Sequence, residues 1–359
     1  MKFRTIATAT AAMLILGPTS LASAAPPTTT PIDGLVGPLH LAVTGKTVSV
    51  SESFAGQITT VTRDGADVTY SNPGWDVAGS EYRGSTLFFL ESVGAGPDPR
   101  PMVGVLKSID AKGNVTTITD EIAAYEIANN PDADVQYGLS PADAAANPDC
   151  VAEMTAIGFP ASYTGADVEP DSHAYGLEVV GNTAYVADAG ANAVLTVNLK
   201  TGEIDTLAVL PAREAVITEA AATAFGIPSC EGLTYAFEAV PTDIEIGPDG
   251  WLYVASLPGG PEDDSLGARG AVYRIDPNSG DLELYVEGLL SPTGIALDGS
   301  GNLYVASMFG AGILKVASGS LDVSVLVEVP LAADVDVQGN TLYYTYDVFG
   351  NGTLDLTRL

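Results

Sequence analysis

The chain has 359 residues, with 14 Lys and Arg set against 45 Asp and Glu, for a formal net charge of −31. So negative a surface offers a phosphate lattice few lysines or arginines to release its counterions, which argues against nucleic acid and anionic lipid as partners. Cations and basic groups remain as counterparts, beside the plainer expectation of a solvated acidic surface.

The first residues predict a secretory signal peptide. Lys2 and Arg4 are basic, residues 5–16 are mostly apolar, and "ASA" from Ala22 ends on small residues, for cleavage after Ala24. Residues 1–24 are therefore expected as a leader and 25–359 as one domain. No later run is long and apolar enough to span a bilayer, so a secreted, extracellular monomer without membrane insertion is expected. Cys150 and Cys230 are even in number in an export-competent chain, which makes a disulfide the expectation and two buried free thiols the alternative.

From residue 34 onward one sentence repeats. "VSVSE" from Val48, "LFFLE" from Leu87 and "AYVAD" from Ala184 are followed by "LYVAS" from Leu252 and from Leu303, and by "LYYTY" from Leu342. Within a copy, period-2 runs rich in Val, Ile, Leu and Tyr are bounded by Gly and Asp, the pattern of antiparallel strands joined by hairpins. Four-stranded units of about 40 residues are propeller blades. The fold class predicted is all-β, a six-bladed β-propeller of TolB-like or NHL-like type. Its blades are expected at about 34–74, 75–126, 173–211, 240–290, 291–330 and 331–359. The last copy ends on "GTLDLTRL" from Gly352; either "TTTPID" from Thr28 adds its fourth strand, or that blade has three.

Strand parity assigns the loops to faces. Connections B–C and D–A lie on one rim and turns A–B and C–D on the other. The insertions 92–103, 257–270, 127–172 and 212–239 all fall on the first rim, where long loops on a rigid scaffold place binding. Residues 127–172 and 212–239 are expected to form a cap pinned by Cys150 and Cys230, with a short helix near "DEIAAYEIANN" from Asp120.

The innermost strands align as "LHLAV" from Leu39, "YGLEV" from Tyr175, "TDIEI" from Thr242, "TGIAL" from Thr293 and "ADVDV" from Ala333. Leu41, Leu177, Ile244, Ile295 and Val335 share one parity and are expected between blades. The other parity carries His40, Glu178, Asp243, Glu245, Asp334 and Asp336, expected to face the central channel with Tyr175 near its mouth. Converging carboxylates need water, a cation or raised pKa values. A calcium or magnesium ion on Asp243, Glu245, Asp334 and Asp336 is one reading, and a water-filled channel the other. Glu52, Glu91 and Asp188 close B strands on the same face. His173, in "DSHAYGL", falls just before an inner strand, where imidazole is a candidate acid or base, or a structural hydrogen-bonding group.

"IAAYEIANNPDAD" from Ile122, "DSHAYGLEVVGNTAYVADAGANAVLTVN" from Asp171 and "AVPTDIEIGPDGWLYVAS" from Ala239 resemble the ScyD/ScyE family, secreted six-bladed propellers named after two proteins linked to scytonemin biosynthesis in cyanobacteria. The resemblance implies fold and export and carries over no site residue; His173-Ala174 stands where the family usually has Asn-Pro. More distantly, the "P-T-G-I-A" sentence resembles NHL propellers. The inner-strand starts lack the ligand set of gluconolactonase-like lactonases. Two functions follow as expectations. One is a ligand- or partner-binding scaffold working through the insertion-bearing face, for a small molecule or a protein. The other is an extracellular metal-assisted hydrolase or lyase using the channel carboxylates.

Overall fold

The computed structural model describes residues 31–96 and 98–359; the expected leader lies outside them. Six four-stranded antiparallel sheets follow one another around a ring. Their innermost strands are Pro38–Thr44, Asp76–Arg83, Ala174–Val180, Pro241–Ile246, Pro292–Leu297 and Asp334–Gln338. Each inner strand touches the next, and the sixth returns to the first. The protein is an all-β propeller, and the blades are numbered 1–6 in that order.

One apolar cluster fills each gap between blades. Leu41, Val50 and Leu354 join blades 6 and 1, Ala42, Val77 and Phe89 join 1 and 2, and Leu90, Leu177 and Val186 join 2 and 3. Tyr185, Ile244 and Val254 continue between 3 and 4, Tyr253, Ile295 and Val305 between 4 and 5, and Tyr304, Val335 and Tyr344 between 5 and 6. The core is thus a ring of six interfaces, each built from inner-strand residues together with the B and C strands whose alternating Val, Leu and Tyr gave the repeat.

The ring is closed by a strand from the other end of the chain. Ile32–Leu35 pairs antiparallel with Gly352–Arg358, Leu35 opposite Gly352 and Ile32 opposite Leu354, so blade 6 has four strands. The three-strand alternative is overturned. The closing strand begins later than "TTTPID", of which Thr28–Thr30 lie outside the described residues. Pairing the edge of Gly352–Arg358 leaves no open ladder there.

A seventh sheet stands apart from the ring. Strands Ser162–Thr164, Gln136–Gly138, Thr234–Phe237 and Arg213–Val216 come from the connections between blades 2 and 3 and between blades 3 and 4. Helices Pro148–Ala156 and Glu219–Phe225 pack with it around Leu139, Met154, Ile217 and Tyr235. The expected disulfide is present between Cys150 and Cys230 and lies in this core. Helix Ile122–Asn129 leads from blade 2 toward this layer. Among the described residues no helix is long and apolar enough to cross a membrane.

Candidate functional site

The inner strands place the candidate carboxylates, and each set also meets a neighbouring blade. Five of the six strands carry a bulge near their start, as between Pro38 and His40 and between Pro241 and Asp243. Because blades stand radially, both faces of an inner strand meet a neighbouring blade. Leu41, Leu177, Ile244, Ile295 and Val335 pack on the preceding blade, as expected. The opposite parity also lies against the following blade, and its carboxylates, drawn from four blades, converge toward the axis. The residues there form two tiers. The upper tier is His40, Gly79, Gly176, Asp243, Gly294 and Asp334, and the lower is Ala42, Glu81, Glu178, Glu245, Ala296 and Asp336.

An inner strand is an edge strand, and its unpaired N–H groups need acceptors. The carboxylates supply them across the blade boundary. Asp334 accepts from its neighbour Val335 N at 2.8 Å and from Leu41 N of blade 1 at 2.6 Å. Asp243 accepts from Ile244 N at 2.9 Å and from Ile295 N of blade 5 at 2.7 Å. Glu178 does the same with Val179 N at 2.6 Å and Ile246 N of blade 4 at 2.9 Å, and Asp336 accepts from Val43 N at 2.7 Å. Where no carboxylate stands, the strands approach more closely: a Cβ on Gly294 would come within 2.6 Å of Asp334 Cα, and one on Gly176 within 2.7 Å of Asp243 Cα.

Burial raises the pKa values of Glu81, Glu178, Asp243, Glu245, Asp334 and Asp336, and neighbouring carboxylates add to the shift at Glu81, Glu245 and Asp334. Asp243 reaches about 8 and Asp336 about 6, despite the amides that favour their charged forms. Protons shared along the axis thus relieve much of the mutual repulsion. Asp243, Glu245, Asp334 and Asp336 converge here, but among the described residues no three His, Cys, Asp or Glu side chains form a metal-ligand group. Each oxygen of Asp243 and of Asp334 accepts one backbone amide, which ties these carboxylates to the inner strands.

Glu52, Glu91 and Asp188 are likewise engaged. Glu52 accepts from Val36 N, Gln57 and Thr59, and Glu91 from Tyr70, Asn72 and Lys107. Asp188 accepts from the backbone of His173, Gly190 and Ala191 and from the Ser172 hydroxyl. These residues fix the B–C loops of the insertion-bearing face.

Above the two tiers the channel is roofed by three rings. Tyr175 lies edge-on between His40, with centroids 4.5 Å apart, and His173, at 5.1 Å. His40 is 2% exposed and its Nε2 has no partner. Burial lowers its pKa to about 4, against the pull of Asp76. His173 Nε2 stands 2.8 Å from Asp76 Oδ2. Burial opposes its charge, but the hydrogen bond and charge of Asp76, helped by Asp188 and Asp171, hold its pKa above the ordinary imidazole value.

This roof is the floor of a cavity of about 600 Å³. Its walls are Leu39, Phe54, Trp75, Met308 and Phe349, with Phe54 and Phe349 stacked at 5.9 Å across the mouth. Asp76, His173 and Glu262 are its ionisable groups. A concave, mostly aromatic wall with a few convergent polar groups is the usual form of a small-molecule site. The sequence pointed to His173 and Tyr175 but missed Asp76 and Glu81. Both lie on blade 2, whose inner strand "DVAGSEYR" carries Ser80 where the other five carry Leu41, Leu177, Ile244, Ile295 and Val335, and so lacks the apolar position on which those were aligned.

The fold is similar to several solved structures. They include a Bacteroides thetaiotaomicron protein of unknown function (TM-score 0.56, 13% identity, covering 92% of this chain and 73% of that one) and a gluconolactonase from Xanthomonas campestris (0.51, 14%, 87% and 82%). Virginiamycin B lyase from Staphylococcus aureus is a third (0.50, 16%, 90% and 85%). At these identities the likeness is one of fold alone. No protein-family model matches the chain, and no curated protein is similar to it in sequence.

Proposed function

We propose that the chain is an exported, monomeric propeller, as in the ScyD/ScyE family its sequence resembles, which binds a small ligand in the mouth cavity of its insertion-bearing face. The observation that carries this is the aromatic-walled cavity of about 600 Å³ floored by Tyr175 and the His173–Asp76 pair. The disulfide supports export, since such bonds persist in oxidising compartments.

Trp75 makes the reading testable. The other tryptophan, Trp251, lies in an A–B turn on the opposite face under Arg274, so in a Trp251→Phe protein Trp75 alone reports on the mouth. Titration with 4-phenylbutanol should give a saturable change in emission that Tyr175→Ala abolishes. No change, or one indifferent to Tyr175, would refute the site.

The His173–Asp76 pair favours a second reading, a hydrolase or lyase in which His173 transfers a proton to or from the bound molecule. It is separated from pure binding by the ligand's fate. Chemical conversion lost in His173→Gln, with binding retained, supports it, and recovery of the ligand unchanged opposes it.

A further inference from the structure

Beside the mouth lies a second cavity of about 590 Å³ that shares His173, Ala189 and Val240 with it as a common wall. Its character is different. Glu126, Asp132, Glu169, Asp171 and Glu238 line it, and among its described lining residues there is no lysine or arginine. Some of these carboxylates are held by the protein: Asp132 accepts from the Tyr137 hydroxyl at 2.7 Å and Asn192 Nδ2 at 2.9 Å, and Glu238 from the Tyr163 hydroxyl at 3.0 Å.

Glu126 is buried without such a hold. It is 1% exposed, it borders the cavity, and its Oε2 has no hydrogen-bond partner. A buried carboxyl oxygen left without a partner is costly, and most such atoms in folded proteins are satisfied by something. Burial, then the charges of Asp188, Asp132 and Asp171, raises Glu126 to about 8, so its surroundings disfavour the charge that a neighbouring cation would restore. Asn130, the left-handed cap at the C-terminal end of helix Ile122–Asn129, borders the same space, and a helix C-terminus also favours a positive group.

We propose that this cavity receives the ammonium or guanidinium end of a ligand whose apolar part occupies the neighbouring aromatic mouth. The ligand class is thus a cationic amphiphile, an amine carried on an aromatic or aliphatic body. This rests on the mouth cavity being the binding site and adds the charge of what binds. The chemistry is complementary on both sides: aromatic walls take the body, and a buried carboxyl oxygen takes an N–H donor in a charge-assisted hydrogen bond.

The test compares three molecules of one shape, 4-phenylbutylamine, 4-phenylbutanol and 4-phenylbutyrate, by calorimetry on the full protein at low salt and neutral pH. The amine should bind about tenfold or more tighter than the alcohol, and the carboxylate weaker than both. Glu126→Gln should bring amine and alcohol to within about twofold of each other without changing affinity for the alcohol. If that variant does not fold, the exposed pair Glu169→Gln and Asp171→Asn should still reduce the amine's advantage. Equal binding of amine and alcohol overturns the cationic assignment and leaves the mouth site standing; absence of binding by all three overturns both.

Discussion

His40 and His173 flank one tyrosine ring, and Asp76 acts on both, yet only His173 donates a hydrogen bond to it. That difference is measurable because the chain has just two histidines. In a proton NMR titration one imidazole should titrate near pH 4 and the other above its ordinary value, and Asp76→Asn should lower the second. Two histidines titrating together near the ordinary value would contradict the geometry of the roof. The axial carboxylates give a second expectation. Asp243 and Asp336, at about 8 and about 6, lie above the ordinary carboxylate value, so the folded state holds protons that the unfolded chain has released. Their contribution to stability is complete below the unfolded value and is lost as pH rises through the folded ones. The raised His173 acts in the same direction. The melting midpoint should therefore fall between pH 5 and pH 8.5, and Asp243→Asn should flatten the fall; a midpoint that rises over that window would contradict it.

At the scale of the element, the blades were legible because a strand buried on both faces needs the same Val, Leu and Tyr in every copy. "LYVAS" therefore recurs almost unchanged in blades 4 and 5. The carboxylates could be placed on inner strands, but their use could not be read. Whether Asp334 meets solvent, metal or the Leu41 amide depends on how blade 6 meets blade 1, a contact 293 residues apart in the chain. The cap was harder still. Its sheet is assembled from four short strands in two separate insertions, each too short to show a period. What the sequence did show was its staple. Cys150 and Cys230 are separated by 80 residues, a loop for which chain entropy assigns a cross-link about 4.5 kcal/mol. Replacing both by alanine should speed hydrogen exchange across Gln136–Gly138 and Thr234–Phe237 while the blade strands keep their protection. Uniform loss of protection would mean that the cap and the ring unfold as one.

For the whole molecule, the propeller supplies a rigid ring, and the insertions on one rim supply what differs from blade to blade. The net charge of −31 is distributed unevenly in its consequences. Along the axis it is quenched by shared protons and backbone amides. On the rim it gathers around a cavity with an unsatisfied carboxyl oxygen beside an aromatic mouth. An apolar cavity of about 340 Å³ within the cap, bordered by Met154, Phe225 and Tyr235, is the rival location for any hydrophobic molecule. A crystal structure with 4-phenylbutylamine decides between them. The phenyl ring is expected over Tyr175 between Trp75 and Phe349, with the ammonium at hydrogen-bond distance from Glu126; density in the cap cavity with the mouth empty would contradict the account.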